Sequence, residues 1–367
     1  MVIQAENALA VKLKDSIRLS GPITIEHFMS ACLMDPDFGY YQTERVFGQQ
    51  GDFITAPEIS QTFGELIGIW VAVVWQSMDK PEAFNLIELG PGRGTLMSDA
   101  MRAMKIMPGA FEAANVHLIE QSANLRDVQK ETLGPNSHEL HWHQSLKDVP
   151  KAPGILLANE FFDALPIRQF MKVDDQWFER LIGMDENMAF QYILSDNPVD
   201  PELDASVLSG AKPGDIVETR HIPRDLLPNR ADNADHPFAA LIIDYGHTKS
   251  AVGDTFQAIK NHAYCDPLKT PGEADVTAHV DFQALANITT EPGYVVETPT
   301  TQAEFLCALG IIERAQALIE KATMVERNKI ENQIARLISE AAMGTRFKVL
   351  GVRSQTCPPL PGFTSQT

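Results

Sequence analysis

The chain has 367 residues, 44% of them hydrophobic, enough for one large α/β domain with insertions or for two ordinary domains. Its 30 basic and 49 acidic residues give a net charge of -19 at pH 7, which argues against general attraction to nucleic acid phosphates or an anionic membrane surface and favours basic or cationic partners, although solubility alone also accounts for it. Cys32, Cys265, Cys307 and Cys357 show no CxxC spacing, so neither a zinc site nor a disulfide framework is suggested.

The opening stretch "MVIQAENALAVKLKDSIRLSGPITIEHFM" has no basic region followed by an unbroken apolar segment, and it is neither Arg/Ser-rich nor poor in acids. No apolar run approaches the roughly 20 residues that span a bilayer. The expectation is a bacterial-type cytoplasmic protein with no membrane insertion. Helices are expected over about 6–19 and 24–34, then a loop rich in aromatic and turn residues in which Tyr40 and Tyr41 read as packing residues more readily than as ligand-stacking ones. A long helix follows over about 58–79, where Ile59, Phe63, Leu66, Ile67, Trp70, Val74 and Met78 recur near the helical period. Residues 1–80 thus read as a helical N-terminal extension and 81–367 as the main domain.

From residue 84 short apolar strands alternate with helices. Strands are expected at 84–89, 115–120, 139–143, 154–159 and 239–244, with helices near 94–107 and 122–133. Strands without polar alternation belong in a sheet covered on both faces, so the fold class is α/β, a Rossmann-like, mostly parallel, doubly wound sheet. Between the fourth and fifth strands lies a β-rich insertion of residues 164–237. Its alternating first half suggests antiparallel hairpins, and its position after a strand's carboxyl end suits the covering of a substrate crevice. Residues 313–342 carry the apolar stripe of one long helix or two shorter ones, with Gly344 placed to stop it; "RFKVLGV" then reads as a final strand at the sheet edge.

Directly behind the first strand stands "LIELGPGRGTL", with Gly90, Gly92 and Gly94 at alternate positions around Pro91. A dinucleotide fingerprint places its third glycine one position later, and a P-loop needs Gly-Lys-Ser/Thr. The pattern from Glu88 to Gly94 instead resembles motif I of class I S-adenosylmethionine (AdoMet) methyltransferases. AdoMet carries a sulfonium and an ammonium against one carboxylate, so an acid at Glu88 is tolerable there and would repel a pyrophosphate. Glu120 ends the second strand, in position to accept hydrogen bonds from both ribose hydroxyls. Glycines needed only for a tight strand-to-helix turn are the alternative. Ser145 and Leu146, after the third strand, are candidates for the adenine side by position alone.

"ILLANEFFDALP" puts Asn159, Glu160 and Asp163 just beyond the fourth strand, flanked by Phe161 and Phe162. Two acids and an amide can grip a cationic or amide nitrogen while the aromatics exclude water. Methyl transfer needs a lone pair aimed at the methyl carbon from about 3 to 3.5 Å. A guanidinium, with a pKa above about 12 and delocalised lone pairs, would need carboxylates to orient one nitrogen and localise charge on another. Glu160 and Asp163 suit that task, with Asn159 beside them; the alternative makes Asp163 a helix cap and Glu160 the partner of a structural arginine.

With these motifs the chain is identified as a bacterial member of the MidA-like proteins, class I methyltransferase-like assembly factors of respiratory complex I. The resemblance runs from "GPITIEHFM" and "DPDFGYY" through "GDFITAPEISQTFGELIGIW", "IELGPGRGTLM" and "ANEFFDALPIRQF" to "LIIDYGH", "PGEADVTAHVDF" and "TQAEFLCALGI". It implies AdoMet as cofactor, an N-terminal region closing over the active site, and symmetric dimethylation of an arginine. The implied partner is a protein substrate, the quinone-site (49-kDa-type) subunit of complex I, on the model of the mitochondrial members. Gly90, Gly92, Gly94 and Glu120 match the cofactor motif; Asp52, Phe53, Thr55, Asn159, Glu160 and Asp163 match the active-site-facing strings. The 217–238 region, with "DIVETRHIPRDLL", is shortened or altered relative to the family pattern.

His138, His141 and His143 in "HELHWH" argue against a metal site, since strand side chains alternate and no carboxylate completes a ligand set. His262, Cys265, Asp266, Asp275, His279 and Asp281 match no standard metal spacing and are candidates to line a substrate channel; no metal is expected. A methyltransferase for another protein or a small molecule, and a non-catalytic assembly protein retaining the fold, remain the alternatives. Oligomeric state is not legible.

Overall fold

The computed structural model of the chain describes residues 7–42, 55–134, 139–223, 226, 236–289 and 293–363. Among these the chain forms two compact units, drawn from the ranges Ile54–Phe162, Pro223–Thr248 and Val280–Thr367 for one, and Met1–Phe53, Asp163–Ile222 and Lys249–His279 for the other. No described helix is long and apolar enough to cross a membrane.

The first unit is built on a sheet whose main strands, in chain order, are β1 (Phe84–Leu89), β2 (Ala114–Ile119), β3 (Leu140–His143), β4 (Gly154–Asn159), β5 (Phe238–His247), β6 (Tyr294–Val296) and β7 (Phe347–Ser354). Their spatial order is β6-β7-β5-β4-β1-β2-β3. The five strands expected from the sequence are the parallel ones, with Glu88 opposite both Leu118 and Leu157, and Asn159 opposite Ile243. Every residue of β1 is buried, as a strand covered on both faces requires. The fold is thus the α/β, mostly parallel sheet expected.

Two details differ from the sequence reading. The helix expected over 58–79 is two, Ala56–Ile59 and Gln61–Ser77: Ser60 is extended, and its side chain accepts from the Thr62 N–H at 3.3 Å, capping the second helix. The apolar period survives this break, so periodicity alone does not reveal it. The C-terminal stripe takes the second of its two expected forms, the helices Ile311–Ile319 and Met324–Ile338, the latter opened by a Thr323/Glu326 capping box. Finally, β7 is not an edge strand. It runs antiparallel between β5 and β6, and β6 has three residues, too few to show a period.

The core of this unit gathers Phe63, Trp70, Leu86, Val116, Leu157, Leu241 and Val349; burial of each such side chain contributes about 1.5–3 kcal/mol. In the second unit the expected helices appear as Ala8–Ser20 and Ile25–Met34, capped by Asn7 and Thr24. The insertion forms the expected antiparallel strands, with Ile167–Val173 between Gln176–Met184 and Ile216–Arg220, and Phe190–Leu194 on the far side of Gln176–Met184. Ile23–Thr24 pairs with Gln176–Met184 as well. Leu9, Phe28 and Met29 from the helices share a core with Ile167, Ile182 and Val276, so segments far apart in sequence fold as one body.

Candidate active site

The strand order reverses between β1 and β4: β1, β2 and β3 run outward one way, β4 and β5 the other. A crevice outside the carboxyl ends of the two central strands is where such sheets bind ligands. The glycine loop leaves β1 there. Gly90 and Gly92 have φ of 56° and 53°, in the left-handed region that disfavours a side chain. A Cβ on Gly90 would stand 2.7 Å from Phe161 Cδ2, whereas one on Gly92 would meet nothing within 4 Å. The first glycine makes room for the aromatic beyond β4; the second leaves backbone open to a ligand. Gly94 then serves as N-cap of the helix Thr95–Met104.

Glu88 lies inside the sheet, and its Oε2 is buried with no hydrogen-bond partner among the described residues. Burial pushes its carboxyl up to about 8. Glu120, at the end of β2, accepts from the Ser122 N–H at 2.8 Å and from Gln129 Nε2 at 3.2 Å; burial raises its carboxyl despite those donors. The same Gln129 amide donates to the Gly92 carbonyl at 2.8 Å. Thr95, first residue of the helix behind the loop, donates its hydroxyl to Glu58 at 2.5 Å. A carboxylate therefore already stands where a phosphate would seek the helix N-terminus, in keeping with the charge argument from Glu88.

Beyond β4, Glu160 holds φ 51°, and its N–H donates to the Ile243 carbonyl at 2.9 Å. The Glu160 carboxylate accepts from the Ala56 N–H at 2.9 Å and from Asn159 Nδ2 at 3.1 Å. Asn159 Oδ1 is buried with no hydrogen-bond partner among the described residues. Phe162 is fully buried and edge-on to Phe161, and its N–H donates to Asp244 at 2.9 Å. Thr55 is the N-cap of the short helix that begins with Ala56. Asp163 is buried in the other unit, where its carbonyl accepts from Ala278, and it starts a turn rather than a helix. Ser145 caps the short 3-10 turn Leu146–Asp148. Asp52 and Phe53 lie outside the described residues.

The sequence reading missed Gln129, Asp244 and His117. Asp244 stands in the quoted "LIIDYGH" string, which was its available signal; Gln129 offered none. His141 and His143 lie two apart on β3 and therefore share a face, contrary to the alternation argument, and both rings contact His117 of β2. His117 Nδ1 is 2.9 Å from His143 Nε2, and its Nε2 is 3.1 Å from Asn85 Oδ1. Burial, then the neighbouring imidazoles, push His117 down to about 4. His138 lies outside the described residues, and His262 sits in a hairpin turn at φ 61°.

The reversed sheet, the open glycine turn and the acids at the ends of β1 and β2 define a class I AdoMet-dependent methyltransferase. The buried oxygen of Glu88, without a partner among the described residues, and the open backbone at Gly92 fit a cationic ligand with a ribose, and the cofactor is AdoMet. Residues 66–300 match the family described as "Putative S-adenosyl-L-methionine-dependent methyltransferase", and the chain belongs to that family. It is 35% identical over 390 residues to the mitochondrial protein arginine methyltransferase NDUFAF7 of Xenopus tropicalis, covering 98% of this chain and 90% of that protein. The human NDUFAF7 is 33% identical over 373 residues, covering 94% and 83%. Among solved structures, a Burkholderia thailandensis protein bound to S-adenosyl-homocysteine superposes with a TM-score of 0.80 at 27% identity, covering 97% of this chain and 94% of that one.

Proposed function

We propose that the protein is a cytoplasmic protein arginine N-methyltransferase that symmetrically dimethylates an arginine of the quinone-site subunit of complex I during assembly. The names of the curated relatives support the arginine acceptor. The observation that carries it is the pair at the end of β4, where Asn159 presents a buried acceptor oxygen beside the Glu160 carboxylate.

AdoMet supplies an electrophilic methyl carbon on a sulfonium. Glu160 accepts guanidinium N–H bonds, draws positive charge toward the nitrogens it holds and leaves the opposite nitrogen richer in lone-pair density. Asn159 Oδ1 takes a further N–H and fixes the rotation of the guanidinium plane. Phe161 and Phe162 exclude water from that end of the strand. Asp163 is the second acid of the proposal, and Thr55, Asp52 and Phe53 are its candidate substrate-binding residues. Glu88, Gly90, Pro91, Gly92, Gly94, Glu120, Ser145 and Leu146 hold the cofactor.

Mass spectrometry of the quinone-site subunit from cells with and without this gene tests the proposal. The expected result is one arginine peptide heavier by two methyl groups only when the gene is present. An identical peptide in both would remove the arginine acceptor and leave the methyltransferase assignment standing.

A further inference from the structure

Gln129 lies in the helix Ala123–Leu133, outside the glycine loop and outside the strand ends, yet it is fully buried and touches three parts of the cofactor side. Its amide nitrogen donates to the Gly92 carbonyl at 2.8 Å and to Glu120 Oε2 at 3.2 Å, while its amide oxygen accepts from Trp142 Nε1 at 2.8 Å. The orientation of the amide is forced. An indole N–H only donates and a peptide carbonyl only accepts, so the nitrogen must face Gly92 and Glu120. Among the described residues the carboxylate of Glu120 is held by neutral donors, the N–H groups of Ser122 and Gln121 and the Gln129 amide, while the nearby Arg126 guanidinium donates to the Glu120 peptide carbonyl at 2.9 and 2.5 Å.

We infer that Gln129 is a positioning residue that sets ribose recognition, by aiming the Glu120 carboxylate and fixing the open Gly92 peptide at one distance from it. This rests on the assignment of Glu120 to the ribose hydroxyls. One oxygen of a carboxylate anchored by Ser122 and the other by Gln129 cannot rotate. Its remaining lone pairs therefore point in fixed directions, the arrangement a vicinal diol needs from a bidentate acceptor. Without the Gln129 donor the carboxylate keeps the backbone anchors at Ser122 and Gln121 but loses the one that fixes Oε2 relative to the Gly92 peptide, and its preference for a diol over a single hydroxyl narrows.

Calorimetry of the full chain with S-adenosylhomocysteine and with its deoxyribose analogue reads this as a ratio of affinities. The wild type is expected to prefer the ribose ligand by about tenfold or more, the scale of a lost hydrogen bond to a charged group. Gln129→Met should narrow that preference to about threefold or less. Were both affinities to fall by the same factor and the ratio stay at its wild-type value, Gln129 would be a packing residue and the inference would be overturned. Trp142→Phe provides a second variant, which removes the donor that sets the amide's orientation and leaves Gln129 in place. Its ratio should narrow too, and an unchanged ratio there also overturns the inference. Glu120→Gln separates the underlying assignment: a preserved ratio in that variant would sink the ribose role of Glu120 itself, whereas loss in Glu120→Gln with retention in Gln129→Met sinks Gln129 alone.

Discussion

The backbone N–H of Ala56 donates to the Glu160 carboxylate at 2.9 Å, joining residues 104 positions apart. It brings Ala56 of "GDFITAPEIS" onto the start of "NEFFDALP". Glu160 is thereby fixed at both ends, its own N–H on β5 and its carboxylate on the first turn of a helix. In our proposal Glu160→Gln lowers single-turnover methylation by a factor on the order of 100 or more while AdoMet affinity holds. Ala56→Pro is the sharper variant. Proline suits the first helical position and Thr55 before it is extended, so the helix should persist while the donor is lost. A fall in turnover of about tenfold or more, measured well below the variant's melting temperature, is expected; full activity would show that this bond does not set the acid.

Glu88 makes cofactor binding depend on pH. Its carboxyl titrates at about 8 in the folded chain, so it is largely neutral at pH 7, and a cationic ligand favours its ionised form. Binding should release a proton, and affinity should rise with pH until about 8. Stability runs the other way. A carboxyl raised on folding contributes stability that is present below its ordinary value and lost as pH climbs through about 8. Glu88→Gln should therefore raise the melting temperature of the ligand-free protein at pH 8, weaken AdoMet binding and flatten its pH dependence. Calorimetry and thermal melts across pH 6 to about 9 check both signs.

Gly90→Ala should cost about 1–2 kcal/mol of backbone strain and also press on Phe161, whose Cδ2 would be 2.7 Å away. Truncating the ring relieves only the second effect. The double variant Gly90→Ala/Phe161→Leu is expected to recover part of the AdoMet affinity lost in Gly90→Ala. Additive losses would show that the ring and the loop are independent.

His117 predicts an acid-labile sheet. It is buried neutral at about 4, against an ordinary value of 6.5. The depressed group contributes stability that is full above 6.5 and lost as pH falls through about 4. The unfolding free energy from urea titrations should decline between those limits by an amount on the order of 2 kcal/mol. His117→Leu should be less stable at pH 7, with Asn85 and His143 losing their partner, but should show a flatter decline.

The cofactor half of the site was legible because it is local. A strand, three glycines and an acid adjoin in "LIELGPGRGTL", and the acid of "VHLIEQS" ends the next strand by the same rule. The short β6 and the break at Ser60 were not legible, the first for want of a period and the second because Ile59 and Phe63 keep the period across it. The co-folding of the N-terminal helices with the insertion was hidden as well, since Ile23–Thr24 reveals its partner only by pairing with Gln176–Met184.

The sequence by itself determined the α/β class, the five parallel strands and the acids and glycines that follow them. Those follow from hydrophobic period and turn chemistry, which act over a few residues. Only the tertiary structure decided that Ala56 holds Glu160, that Asp244 holds Phe162, that Gln129 joins Gly92 to Glu120, and that His117 completes the ring cluster with His141 and His143. Each depends on which strand lies beside which and how a helix is rotated upon the sheet. Strand order and helix rotation are set by packing of the whole core, so no local pattern carries them.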